Sequence, residues 1–239
     1  MSMSFLVDTT LCTACRGCQV ACKQWHGLPA EETTNRGSYQ NPADLSFDTY
    51  KLVRMKEEVI DGQMRWLFFP DQCRHCLEPP CKDTAGEESA IFTDISSGAV
   101  IYTANTKGLN IADIKESCPY NIPREGADGT LAKCDMCLDR VQNGLQPACV
   151  KTCPTGAMNF GRREEILALA NRHLAAAKKK FPKAQLLDPG DVRVIFLTAY
   201  EPKYYHEYAI ASGGSFDVTR HVALRRMLRP LAGPISLLR

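Results

Sequence analysis

Cys12, Cys15, Cys18 and Cys22 follow one another in C-x2-C-x2-C-x3-C spacing. Cys73, Cys76 and Cys81 form a C-x2-C-x4-C block, and Cys118 stands alone before Pro119. Cys134, Cys137, Cys149 and Cys153 make a C-x2-C-x11-C-x3-C block that ends before Pro154. Twelve cysteines in 239 residues demand a chemical explanation, and three exist: disulfides, zinc sites or iron–sulfur clusters.

The spacing favours iron–sulfur clusters. A cubane core needs four thiolates. Three closely spaced cysteines wrap one face of it and the fourth comes from elsewhere, which is the logic of the C-x2-C-x2-C-x3-C-P run. The first block has this spacing with Lys23 in place of proline, whereas Cys118 and Cys153 each end in C-P. If the first and last blocks form a two-cluster ferredoxin pair, each lends its final cysteine to the other. One [4Fe–4S] cluster is then held by Cys12, Cys15, Cys18 and Cys153, and a second by Cys22, Cys134, Cys137 and Cys149. The four that remain, Cys73, Cys76, Cys81 and Cys118, make a third set. This middle set reads as a ferredoxin pair that has lost one site. Ala85 stands where its next cysteine would be, and residues 86–117 contain none.

Other uses of twelve thiolates stay open at this point. Three zinc sites with four cysteines each would consume them, although zinc sites usually pair two C-x2-C knuckles. A disulfide framework suits short secreted chains. Two cubanes with four structural cysteines is a further alternative. His75, inside C-R-H-C, reads as surface or packing beside the ligands. Arg16, Lys23, Arg74 and Lys133 adjoin ligands, where charge and hydrogen bonding would raise cluster potentials, but solvated side chains are the expectation. Trp25 and Trp66 read as core or interface anchors.

The elements that must position these blocks are short. Residues 5–8 read as a strand leading into the first block. Residues 50–56 and 64–69 read as a hairpin around Asp61-Gly62, and 99–103 as another strand. Residues 162–180 read as the longest helix, with Glu164 and Glu165 early and lysines late. Residues 192–198 read as a buried strand. The expected fold class is α+β, with one complete ferredoxin-like pair, a degenerate inserted pair, and a C-terminal helix and strand. Its domains would be 1–48 with 119–160 (two clusters), 49–118 (one cluster), and 161–239 with a basic tail. From Ser212 that tail reads as a surface arm packed on a partner, with membrane-surface contact as the alternative.

Composition narrows the classes further. A formal net charge of +2 with mixed signs argues against a nucleic-acid binder working through a basic field. Three loaded clusters would move the charge to about −4. No apolar stretch reaches the ~18 residues of a membrane span, and the first residues do not read as a secretory leader. There is no Walker A sequence, no G-x-G-x-x-G after a strand and no H-E-x-x-H, so no catalytic residues are expected.

The stretches CTACRGCQVACKQWHG, YKLVRM, WLFFPDQCRHC, AKCDMC, CPTGAMNFG and DVRVIFLTA resemble the four-cluster ferredoxin-type subunits of the dimethyl sulfoxide reductase family. The nearest likeness is the three-cluster variant, the small (beta) subunits of soluble formate dehydrogenases of sulfate-reducing bacteria. The resemblance extends to about residue 210. It implies a large catalytic (alpha) subunit carrying a tungsten or molybdenum bis-pyranopterin guanine dinucleotide, with electrons passing through this chain to a multihaem cytochrome c. It also implies a periplasmic location, reached by export together with the partner. Membrane-bound relatives end in a transmembrane helix, which this chain lacks.

Overall fold

A computed structural model describes residues 2–211, and the expectation for the basic tail lies outside them. Four strands form the central sheet in the order Met158–Arg162, Met3–Asp8, Val194–Thr198, Gln185–Leu187. Met3–Asp8 runs parallel to Val194–Thr198, with Phe5 opposite Val194, and antiparallel to Met158–Arg162, with Phe5 opposite Phe160. Val194–Thr198 is buried along its whole length, as its unbroken apolar run requires of a strand covered on both faces.

Side chains alternate across this sheet. Phe5, Val7, Val194 and Phe196 enter one apolar cluster, while Leu6, Ile195 and Leu197 enter another on the opposite side. Helix Arg163–Lys178 covers the second side through Ile166 and Ala170, four residues apart. Glu164 and Glu165 in its first turn and Lys178 in its last oppose the helix dipole favourably.

The hairpin is longer than its apolar residues suggested, Leu52–Ile60 paired with Gln63–Asp71. Asp61 and Gly62 both have positive φ, 52° and 75°, the backbone of a two-residue turn that matches strand twist. The hairpin's base packs against the sheet through Val53 and Phe69, while Val59, Met64 and Trp66 near the tip are exposed. Two small ribbons complete the β structure, Ile91–Thr93 with Val100–Tyr102 and Arg124–Glu125 with Leu131–Ala132. Short helices Gly17–Trp25, Pro80–Ala85, Ile111–Glu116, Leu138–Gln142 and Ala148–Lys151 carry or flank the cysteines. Among the described residues no helix is long and apolar enough to cross a membrane.

Arg193 ties the sheet to the second cysteine block. Its guanidinium donates to the carbonyls of Cys76 (2.9 Å) and His75 (3.3 Å) and its Nε to Ser2 Oγ (3.2 Å). Gly98, at φ +80°, lies against it, and a Cβ there would fall within the Arg193 guanidinium. Gly98→Ala is therefore expected to cost about 1–3 kcal/mol through overpacking, with backbone strain in addition. The temperature at which the visible absorption disappears, compared at one scan rate, should fall by about 2–4 °C per kcal/mol.

Candidate metal centres

Each cysteine block is built on the same local turn. Ala14, His75 and Met136, the residues immediately before Cys15, Cys76 and Cys137, all have positive φ (54°, 47° and 67°). Left-handed backbone at non-glycine residues costs about 1–3 kcal/mol each and persists only where surroundings over-determine it. In every block the turn also directs an N–H at the first sulfur. His75 N–H donates to Cys73 Sγ (3.3 Å), Met136 N–H to Cys134 Sγ (3.5 Å), and Ala14 N–H to the Cys12 thiol. Three segments far apart in sequence thus share one turn, whose shape suits presenting two sulfurs to a common centre while an N–H bonds the first of them.

Helix geometry brings in the more distant cysteines. Cys18 and Cys22 lie one turn apart on Gly17–Trp25, about 6 Å along the axis, and Cys149 and Cys153 stand in the same relation on and just beyond Ala148–Lys151. Cys12, Cys15, Cys18 and Cys153 line one small cavity. Cys22 meets the last block instead: burial pushes its thiol well above the ordinary range, and the Cys149 and Cys137 thiols push it further. Cys134 is raised by burial and then by Cys22. Burial likewise raises Cys76, followed by Cys73, Cys118 and Cys81. The neighbourhoods also influence one another electrostatically. Cys18 acts on Cys149, and Cys73 acts on Cys134, so the first and third groups each border the second.

None of the twelve thiols is in a disulfide. Burial pushes Cys12 up to about 11 and Cys118 up to about 12. Such thiols ionise only when a cation draws off their protons, which is the linkage expected of metal ligands. Cys153 differs. Burial raises its thiol, but N–H groups of Met158, Thr155 and Ala157 and the Thr155 hydroxyl outweigh it and bring the thiol below the ordinary value.

The sulfur spacing discriminates between metals. Four thiolates on one zinc at about 2.3 Å stand only about 3.8 Å from each other. Among the described residues no three cysteine sulfurs lie within 4.8 Å of one another. Largely buried thiols gathered in this way suit a multi-iron core, and the donor sets fit such a group. One three-residue group does lie within 4.8 Å: His26, Asp135 and Cys137. There His26 Nε2 meets Asp135 (2.9 Å) and Nδ1 meets the Cys22 carbonyl (2.9 Å). Burial pulls the imidazole's pKa down, but the bond to Asp135, the Asp135 charge and the Cys22 carbonyl together outweigh it and raise the value.

The basic neighbours are not where solvation would put them. Arg74, expected to be solvated, is 2% exposed. Its guanidinium lies over the rings of Phe196 (4.5 Å), Tyr120 (5.1 Å) and Phe69 (5.2 Å). Lys133 is buried as well, bonded to the Cys134 carbonyl (3.0 Å) and seated over the Tyr102 ring (4.6 Å). Aromatic surroundings and main-chain acceptors replace their water. Lys23 is tied to the carbonyls of Asp48 (2.6 Å) and Pro29 (2.8 Å), and Arg16 reaches the Tyr39 carbonyl. His75 is fully buried, its Nδ1 accepting from Val100 N–H (3.0 Å). Both tryptophans are substantially exposed rather than core, Trp25 stacked against Arg140 (4.1 Å) and Trp66 near Tyr39 (5.3 Å). Reading by sequence position missed Lys51, which is buried although no ligand lies near it in the chain. Its one signal was a charge within the strand-like YKLVRM.

Residues 64–163 match the family model of a 4Fe–4S dicluster domain. The chain is 60% identical to the formate dehydrogenase subunit beta of Megalodesulfovibrio gigas, over 88% of this chain and all of that one. It is 54% identical to the formate dehydrogenase 2 subunit beta (cytochrome c-553) of Nitratidesulfovibrio vulgaris, over 87% of this chain and 99% of that one. The iron–sulfur subunit of the nitrate-inducible formate dehydrogenase of Escherichia coli is 36% identical over 84% of this chain and 70% of its own length. With twelve free cysteines, a dicluster domain and likeness along nearly the full length of two beta subunits, the chain belongs to the family of formate dehydrogenase beta, or iron–sulfur, subunits.

Proposed function

We propose that this chain is the electron conductor of a formate dehydrogenase, holding three [4Fe–4S] clusters in a row. Cys12, Cys15, Cys18 and Cys153 hold the first, Cys22, Cys134, Cys137 and Cys149 the second, and Cys73, Cys76, Cys81 and Cys118 the third. When bound, each cluster takes up and releases one electron. The chain's residues do the rest: the thiolates hold the iron, the three turns donate N–H groups to sulfur, and apolar packing excludes water. The observation that carries this reading is the electrostatic proximity of the first and third thiol groups to the second, with Cys18 raising Cys149 and Cys73 raising Cys134. A centre in the middle group is within reach of both others.

The exchanged fourth cysteines make the first and second sites a complete ferredoxin-like pair, spanning 1–48 and 119–160. Residues 49–118 form the inserted, degenerate pair, and 161–239 supply the C-terminal helix, strand and tail. Support for the degeneracy comes from Ala85, which packs with Ile91, Val100 and Ile114 in a separate apolar cluster, so hydrophobic side chains fill the region of the lost site. The partners are a large catalytic subunit with a tungsten or molybdenum pterin, where formate is oxidised or carbon dioxide reduced, and a cytochrome c. The name of the Nitratidesulfovibrio vulgaris relative, which carries cytochrome c-553, favours that acceptor class and with it a periplasmic location.

Metal analysis of anaerobically purified protein, with electron paramagnetic resonance after dithionite reduction, tests this reading. About twelve irons per chain and interacting signals from reduced cubanes are expected. About eight irons would mean that one four-cysteine set is wrong, and zinc without iron would overturn the reading.

A further inference from the structure

Lys51 is 2% exposed. Its ammonium donates to the Pro70 carbonyl (3.1 Å) and the Gln72 side-chain oxygen (2.5 Å), and it forms no ion pair with any described carboxylate. An unpaired buried ammonium carries a desolvation penalty of several kcal/mol, so a compensating anion is required. The neighbours of Lys51 show where that anion lies. Pro70 and Val53 line the cavity shared by Cys12, Cys15, Cys18 and Cys153. On the other side the Tyr50 ring packs edge-on against His26 (5.4 Å), which bonds the Cys22 carbonyl (2.9 Å). Residues 50–53 thus run from the second thiol group to the first. The positive charge of Lys51 reaches Cys12 and Cys18 of one and Cys22 and Cys149 of the other.

We propose that Lys51 is a counter-charge shared by the first and second clusters, a positioning residue that raises both reduction potentials together. This rests on the ligand sets above. Each cluster gains one negative charge on reduction, and a fixed buried cation beside it favours that state because little water screens the attraction. Sharing one cation moves the two potentials in the same direction and keeps them matched for transfer in either direction. The third cluster has its own buried cations, Arg74 acting on Cys76 and Lys133 acting on Cys81.

The test is an electron paramagnetic resonance-monitored redox titration of the intact complex carrying Lys51→Met, close in length and uncharged. Two of three midpoints should fall by at least tenfold in the one-electron equilibrium, about 59 mV, while the third stays. Lys51→Arg, which retains the charge, should hold all midpoints near wild type. If Lys51→Met does not assemble, Gln72→Glu places a carboxylate on the ammonium, and the same two midpoints should fall. Unchanged midpoints in a variant retaining all its iron, or an equal shift of all three after Lys51→Met, would overturn the proposal. Fewer than three clusters in the wild-type protein would instead sink the ligand reading on which it rests.

Discussion

Cys73→Ser should lower the iron content from about twelve to about eight per chain and abolish electron delivery across the subunit, while the signals of the other two clusters persist. The third thiol group is carried by the end of the inserted hairpin and by the two short helices Pro80–Ala85 and Ile111–Glu116. The first and second groups share Gly17–Trp25 and the segment 148–153. A Cys22→Ser variant makes the converse case. Cys22 and Cys18 are one turn apart on the same helix, so damage at the second site should spread to the first and leave fewer than eight irons. Iron analysis and paramagnetic resonance on both variants check this together. Loss of all iron from Cys73→Ser would show that the third set is not independent and that its ligands are misassigned.

Asp71→Ala is expected to destabilise the folded chain by about 3–5 kcal/mol, the usual consequence of removing one partner from a buried ion pair. Asp71 is fully buried, with Oδ2 at 2.7 Å from Arg54 Nε and Oδ1 at 2.9 Å from Arg74 Nη1. Arg54 continues to Asp44 (2.6 Å), and Asp44 to Arg124 (2.8 Å). Without the carboxylate, Arg74 would sit among three aromatic rings with its ion pair to Asp71 lost. Accelerated bleaching of the visible absorption in denaturant measures the loss, and bleaching at the wild-type rate would count against the network's importance.

The same residues set the acid limit. Burial pushes the Asp71 carboxyl up, but Arg74 and Arg54 outweigh it and hold it low. Its contribution is therefore present above the unfolded value of about 3.9 and lost as pH falls through the lower folded value. His206, beside Asp71 (4.0 Å), is pulled down to about 4 by burial and then by Arg54. Its contribution is complete above the unfolded value of about 6.5 and fades between there and about 4. Bleaching should accelerate from below about pH 6.5, and His206→Gln should delay the onset.

The division between what was legible in the chain and what was not follows from sequence separation. The C-x2-C turns are local. Two or three residues dictate them, so the cysteine spacing alone points to iron–sulfur chemistry. The short unbroken apolar runs in 5–8 and 192–198 mark buried strands for the same reason, because a strand covered on both faces needs apolar side chains at successive positions. Pairing is not local, and the spacing did not indicate that Val194–Thr198 would lie parallel to Met3–Asp8 at the sheet's centre. Nor does a basic residue beside a cysteine reveal its solvation. Arg74 and Lys133 are buried because Phe69, Phe196, Tyr120 and Tyr102 arrive from other segments.

The sequence by itself determined the metal chemistry, the local turns that present sulfur to it, and the family. Only the tertiary structure decided which buried charges stand beside those sulfurs. A thiolate block is specified by its immediate neighbours, whereas the burial of Lys51, Asp71 and Arg74 depends on chain segments far apart in sequence closing over them and excluding water.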